Sequence, residues 1–174
     1  MIRKLDLKDA EAMITCLKDS DVNYFMNIDG SKMVSTDCQE YIKKSWDDEK
    51  NYHFAIVDEN DNWIGTISLK NIDKLAKQVE YASITSSSVH GKGYAFTATK
   101  EIIEYGFEKL GLNRIYLNVV DENIKANKFY QKVGFIFEGC FRKAICIKGR
   151  IYNLNWYSIL KSDKKQIYKY KKET

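Results

Sequence analysis

The sequence predicts one α/β (α+β) domain built on a mixed sheet, and three observations carry that prediction. Apolar runs of strand length recur along the chain with turn residues between them. Fewer, longer stretches carry apolar residues at helical spacing. A strand–helix–strand unit sits among hairpins, which forces parallel and antiparallel pairs into the same sheet. With 174 residues, 44% of them hydrophobic and 13% aromatic, the chain is long enough to bury one good core.

Element by element, "IRKLDL" (residues 2–7) alternates as a strand, and "KDAEAMITCLKDS" places Ala10, Met13, Ile14 and Leu17 at helical spacing. Gly30 breaks a polar stretch. "STDCQEYIKKSWDDEK" then reads as a second helix with a capping signal at Ser35 or Thr36. "YHFAIVD" and "WIGTISLKNI" are strands joined by the hairpin signal "ENDN", and "QVEYASITSS" is another strand. A helix is expected from near Gly91 to Gly111, followed by the strand "RIYLNVV". "NIKANKFYQKV" is a short helix closed by Gly134. The strands "FIFEGCFRKAICI" and "RIYNLNWYSIL" meet around Lys148-Gly149. The order is β-α-α-β-β-β-α-β-α-β-β, without repeats, linker or proline. Residues 1–160 form the domain, and 161–174 read as a basic extension with lysines at 161, 164, 165, 169, 171 and 172.

A net charge of +4 suits an anionic cofactor or substrate and falls short of a nucleic-acid-binding composition. No apolar run approaches the ~20 residues of a membrane span, and the N-terminus is unlike a signal peptide, so a cytoplasmic protein is expected. Cysteines 16, 38, 140 and 146 are scattered and only two histidines are present, which argues against a zinc site. Buried or half-buried free thiols fit better.

The unusual stretch is "SSSVHGKGYAFTATKEIIEYGF" (86–107), with glycines on both sides of Lys92 at a helix start. A Walker loop needs glycine and Ser/Thr where Ser86 and Gly93 stand, and Phe96 is too large for the third glycine of a dinucleotide fingerprint. What remains is a turn whose glycines let backbone N–H groups approach a phosphate at a helix N-terminus, with Lys92 adding charge. Taken alone, a helix start that merely contains glycines explains the stretch equally well.

Downstream, past one strand, lies "ENIKANKFYQKVGF". Together the two segments resemble the GNAT N-acetyltransferase superfamily. Its Gln/Arg-x-x-Gly-x-Gly/Ala motif is matched by Ser88-Val89-His90-Gly91-Lys92-Gly93, followed by Tyr94-Ala95. Its Asn-x-x-Ala-x-x-x-Tyr-x-x-x-Gly-Phe motif is matched by Asn123, Ala126, Tyr130, Gly134 and Phe135. Ser88 departs from the consensus, so a side-chain contact there is not expected. "IRKLDLKDAEAM", "VEYASI" and "EGCFRKAICIKGRIYNLNWYSIL" look most like the branch of ribosomal-protein N-terminal acetyltransferases. Spermidine and amino-sugar acetyltransferases are similar as well.

The resemblance implies a mixed, mostly antiparallel central sheet flanked by helices, with acetyl-coenzyme A as cofactor. Val89, His90, Gly91, Lys92, Gly93, Tyr94 and Ala95 would hold its diphosphate, and backbone near Ile84 and Thr85 its pantetheine arm. The arm would lie between strands that splay apart. Asn123 and Asn127 would contact pantetheine amides, although Asn123 could equally be a helix N-cap and Asn127 a solvated helix residue. Tyr130 is the candidate general acid and Glu80 the candidate base, each with a plain packing or surface alternative. His53 reads as a structural or surface residue. Tyr24, Phe25, Trp46, Arg142, Asn155 and Trp156 are candidate acceptor-pocket walls. The acceptor would be a primary amine, and the resemblance of the C-terminal hairpin ranks a protein N-terminus or an amino sugar slightly above a polyamine or a small metabolite. A homodimer is an open possibility, and a non-catalytic acetyl-coenzyme A sensor or scaffold is the competing class.

Overall fold

The structure, a computed structural model, describes residues 1–163; the rest of the basic tail lies outside the described residues. Seven strands form one sheet: β1 (Ile2–Lys4), β2 (Tyr52–Val57), β3 (Trp63–Asp73), β4 (Gln78–Thr85), β5 (Arg114–Val120), β6 (Ile136–Ile147) and β7 (Arg150–Leu160). Five helices accompany them: α1 (Ala10–Lys18), the single-turn α2 (Ser20–Asn23), α3 (Ser35–Trp46), α4 (Tyr94–Glu108) and α5 (Ile124–Val133). The sheet order is β1-β2-β3-β4-β5-β7-β6, antiparallel throughout except for the β4–β5 pair. The expected element order is present, with α2 added.

Side chains alternate across each strand, so the sheet has two apolar faces. On one, Ile67, Leu69, Val79, Tyr81, Ile115, Leu117, Tyr157 and Ile159 pack against Ala98, Ile102, Ile103 and Phe107 of α4 and Val133 of α5. On the other, Ala55, Val57 and Trp63 pack beneath Met13, Ile14, Cys38 and Ile42 of α1 and α3. That second cover stops at β4. Over β5, β7 and β6 this face carries Tyr116, Trp156 and Phe141 in a row of ring contacts, with Phe141 and the neighbouring Ile136 exposed.

Local chemistry sets the boundaries. In the "ENDN" hairpin Asp58 accepts from the backbone N–H groups of Asn60 and Asn62. Helix α3 is not capped by Ser35 or Thr36. Instead the N–H of Val34 donates to Asp37 at 2.9 Å, because the Ser35 hydroxyl is turned to Glu11 on α1. Asn123 caps α5 by accepting from the N–H of Ala126, and Gly134 ends it at φ 115. Cys16 and Cys38 are buried as expected. Cys140 and Cys146 are exposed on β6, which is the sheet edge. Among the described residues no helix is long and apolar enough to cross a membrane.

Candidate active site

The sheet opens where its one parallel pair ends. β4 and β5 pair at Gln78–Arg114, Val79–Ile115 and Glu80–Tyr116. Beyond that rung Tyr81–Thr85 pair only with β3, and Leu117–Val120 only with β7. The strands therefore diverge, leaving backbone groups of 81–85 along one edge of a gap without a ladder partner. Such groups are strong hydrogen-bonding sites that a ligand can satisfy. Ile84 and Thr85 lie on this edge.

The chain leaves β4 through Ser86–Gly93 and enters α4. Helix α4 begins at Tyr94, three residues later than the glycine pattern suggested, because Gly91 and Gly93 both take left-handed backbone angles (φ 80 and 86). Gly93 is the N-cap and has no side chain to cap with. The first backbone bond into the helix runs from Thr97 to Gly93 at 3.1 Å, so the N–H groups of Tyr94, Ala95 and Phe96 precede the helical ladder. A Cβ placed on Gly91 or Gly93 would meet nothing within 4 Å. This open, amide-lined cradle fits a diphosphate.

Around the cradle the side chains divide. Lys92 is exposed beside a pocket of about 380 Å³ that Glu59, Gly93, Tyr94 and Thr97 also line. Tyr94 turns its hydroxyl to the Glu59 carboxylate at 2.8 and 2.9 Å, and this bond holds Glu59 below the usual carboxylate range. Only the backbone of Tyr94 thus remains for the cradle. Val89 packs against the main core, and His90 is exposed, its N–H bonded to Ser87. Ser87 in turn donates to Asp19 at 2.5 Å, which ties the turn to the start of α2.

Tyr130 of α5 meets Tyr81 of β4 edge to face, with ring centroids 5.9 Å apart, and also packs against Phe129, Phe135 and Tyr157. Burial pushes its phenol above the ordinary tyrosine value, and the neighbouring polar side chain of Ser83 opposes that push. The hydroxyl is therefore protonated at neutral pH. Ser83 stands on the gap-lining part of β4, and no sequence motif singled it out. The Tyr81 hydroxyl lies 2.8 Å from that of Thr99 on α4.

Asn127, expected to touch the cofactor, is buried and fully engaged by the protein. Its amide nitrogen donates to Val120, Asp121 and Asn123 carbonyls, and its oxygen accepts from Asn155 and Tyr157. It joins α5 to β5 and β7. Asn155, expected in the acceptor wall, is drawn into the same knot. Asn123 is the N-cap of α5, with its own amide nitrogen uncommitted among the described residues.

The acceptor-side candidates scatter. Glu80 is on the opposite face of β4 from Ser83, with Lys70 at 3.3 Å from one oxygen and Asn71 at 2.9 Å from the other. Tyr24 and Phe25 follow α2; Phe25 packs with Val120 and Tyr152 at the open end of β5, while Tyr24 is exposed. Arg142 is exposed on β6. Trp156 stacks on Tyr116 beside the gap, and its indole nitrogen is the one buried side-chain N or O without a hydrogen-bond partner among the described residues. Trp46 is not near the gap: its indole donates to Leu5 after β1, at the far side of the sheet. His53 sits between Tyr41 and Ser68, a structural arrangement under α3. No group of three or more metal-binding side chains occurs among the described residues.

Residues 1–136 match the family model of the acetyltransferase (GNAT) domain. The chain is 33% identical over 165 residues to "uncharacterized N-acetyltransferase p20" of Bacillus licheniformis, covering 93% of each. It is 32% identical over 99 residues to the putative ribosomal N-acetyltransferase YdaF of Bacillus subtilis, covering 57% of this chain and 54% of that one. Among solved structures it resembles spermidine N-acetyltransferase from Vibrio cholerae in complex with CoA and spermine. The TM-score is 0.84 at 26% identity, with 94% and 96% of the two chains covered.

Proposed function

The chain belongs to the GNAT N-acetyltransferase family, whose members use acetyl-coenzyme A, and from that premise we propose that its acceptor is a small primary amine of the polyamine class, with Tyr130 as the proton donor to the leaving group. One observation carries the reading: the sheet splits at Glu80–Tyr116, with the bare start of α4 at the end of β4 and the half-buried Tyr130 ring in contact with β4 beside the split.

When bound, acetyl-coenzyme A supplies an acetyl group activated as a thioester. The chain supplies the rest. N–H groups of Tyr94, Ala95 and Phe96, with the Lys92 ammonium, hold the diphosphate. The free edge of β4 around Ile84 and Thr85 offers amide N–H donors to a carbonyl oxygen. Tyr130 holds a proton that a departing thiolate would take.

The amine approaches from the other face, since α4 and α5 cover the Tyr130 side. There Tyr116 and Trp156 present aromatic surface, and Glu80 presents carboxylate charge, a combination that attracts an alkylammonium. An ammonium has no lone pair, so it must lose a proton first. Glu80 oxygens, each holding one protein partner, keep lone pairs that can take that proton through water. The similarity to a structure holding CoA and spermine supports the polyamine choice over an amino sugar or a protein N-terminus.

The test is a panel of polyamines, amino sugars, amino-acid amides and peptides, scored by thiol release and by mass of the acetylated product. Spermidine-like amines should give the highest kcat/KM. Stabilisation by acetyl-coenzyme A with no thiol released from any amine would instead identify a sensor, and preference for peptides would move the acceptor to protein N-termini.

A further inference from the structure

The β6–β7 register slips beside the acceptor face. Phe137 pairs with Tyr157 and Gly139 with Trp156, so Glu138 stands between them without a partner. Such a bulge re-aims a side chain. The Glu138 carboxylate reaches across β7 and accepts both arms of Arg114 on β5, at 2.6 and 2.5 Å, while Ser158 on β7 donates to it at 2.7 Å. The Arg114 guanidinium lies 5.7 Å from the centroid of the Tyr116 ring, which stacks on Trp156. The ion pair therefore borders the aromatic wall of the acceptor site.

Arg114 has a second carboxylate within reach. Gln78 faces Arg114 and Glu80 faces Tyr116, so Arg114 and Glu80 are diagonal neighbours on one face of the β4–β5 pair. Both protein partners of Glu80, Lys70 and Asn71, come from β3 on its other side. Its β5 side is thus open to a cation, either the guanidinium or an incoming ammonium. A guanidinium there would bind in bidentate fashion and shut the amine out. With Glu138 ionised, Lys70 and Arg114 stand against two carboxylates; without it they stand against one.

We propose that Glu138 is a positioning residue for the acceptor: by holding Arg114 on the β6 side of Tyr116, it keeps that cation off Glu80 and leaves the Glu80 carboxylate to an amine, above all to one carrying a second positive charge. This rests on the reading of the Glu80 face as a polyamine-class acceptor site.

The experiment compares spermidine with an alkyl monoamine of similar length, at low salt, in the parent and two variants. Glu138→Gln frees Arg114 and should raise KM for spermidine about tenfold with kcat little changed, and raise KM for the monoamine less. Arg114→Gln leaves the Glu138 charge uncompensated and should lower KM for spermidine about threefold. Combining the two substitutions should return the spermidine-to-monoamine preference to the parent value. A merely structural ion pair predicts otherwise: both single variants would impair both amines alike, and the double variant would not recover. That outcome overturns the proposal. A crystal structure of Glu138→Gln gives a readout independent of any acceptor. Arg114 should be found within ion-pair distance of Glu80, and an unmoved Arg114 would sink the idea. A parent that acetylates no polyamine would instead remove the acceptor reading beneath it, whatever Arg114 does in that crystal. Should Glu138→Gln fail to fold, the lower spermidine KM expected of Arg114→Gln decides the matter alone.

Discussion

Two residues of α5 that sit three apart have opposite fates. Tyr130 keeps a hydroxyl near the gap, so Tyr130→Phe should lower kcat about a hundredfold while leaving the dissociation constant for acetyl-coenzyme A nearly unchanged. Steady-state kinetics with calorimetric binding checks both halves. Asn127 is committed to five protein hydrogen bonds in a buried knot. Asn127→Ala should therefore act on stability, by about 3 kcal/mol, read from the shift of the urea midpoint. At this scale the sequence was a partial guide. The motif picked out Tyr130 and helical spacing from Asn123 picked out Asn127, but only the surrounding carbonyls of Val120, Asp121 and Asn123 show which one has bonds to spare. Ser83 and Tyr116 gave no signal at all, because one serine and one tyrosine in alternating strands look like every other.

Among elements, the start of α4 is the one whose local sequence dictates its chemistry. Left-handed angles at Gly91 and Gly93 are accessible to glycine and strained for any β-branched side chain. Gly91→Val has free space for its side chain yet must abandon φ 80 or pay about 1–2 kcal/mol to keep it. Either result spoils the cradle. The dissociation constant for coenzyme A should rise about tenfold or more, as measured by isothermal calorimetry. The same turn also shows where glycine spacing misleads, since left-handed angles at Gly91 and Gly93, on either side of Lys92, delay the helix to Tyr94. Helix α3 teaches a similar lesson at its own start: a serine placed to cap is diverted by a glutamate from another helix, and no local pattern records that.

Across the whole molecule, the sheet is two halves joined by three parallel rungs, so interactions spanning β5, β7 and β6 matter to its far half. Arg114 on β5 reaches Glu138 on β6 with two bonds of 2.6 and 2.5 Å, and Ser158 on the intervening β7 adds a third at 2.7 Å. The Arg114 guanidinium, first, and then the Ser158 hydroxyl hold the Glu138 carboxyl down to about 2, against 4.5 when unperturbed. A depressed carboxylate contributes stability above its unfolded value and loses it as pH falls through the folded one. That contribution should be complete above about pH 4.5 and gone near pH 2. Glu138→Gln should therefore be less stable than the parent at pH 7, and the two should converge near pH 2. Chemical denaturation at several pH values tests this; a constant difference across the range would refute it.

The sequence by itself determined the element order, the one parallel crossover and the glycine turn, because periodicity, capping and φ > 0 are properties of neighbours along the chain. Tertiary structure alone decided where the sheet parts, which face of the gap α4 and α5 cover, that Trp46 lies away from the gap, and that Asn127 and Asn155 are held by the protein. Those facts depend on strand register and on which distant groups meet. A side chain's free hydrogen bonds are what its neighbours in space leave over, and a linear pattern cannot count them.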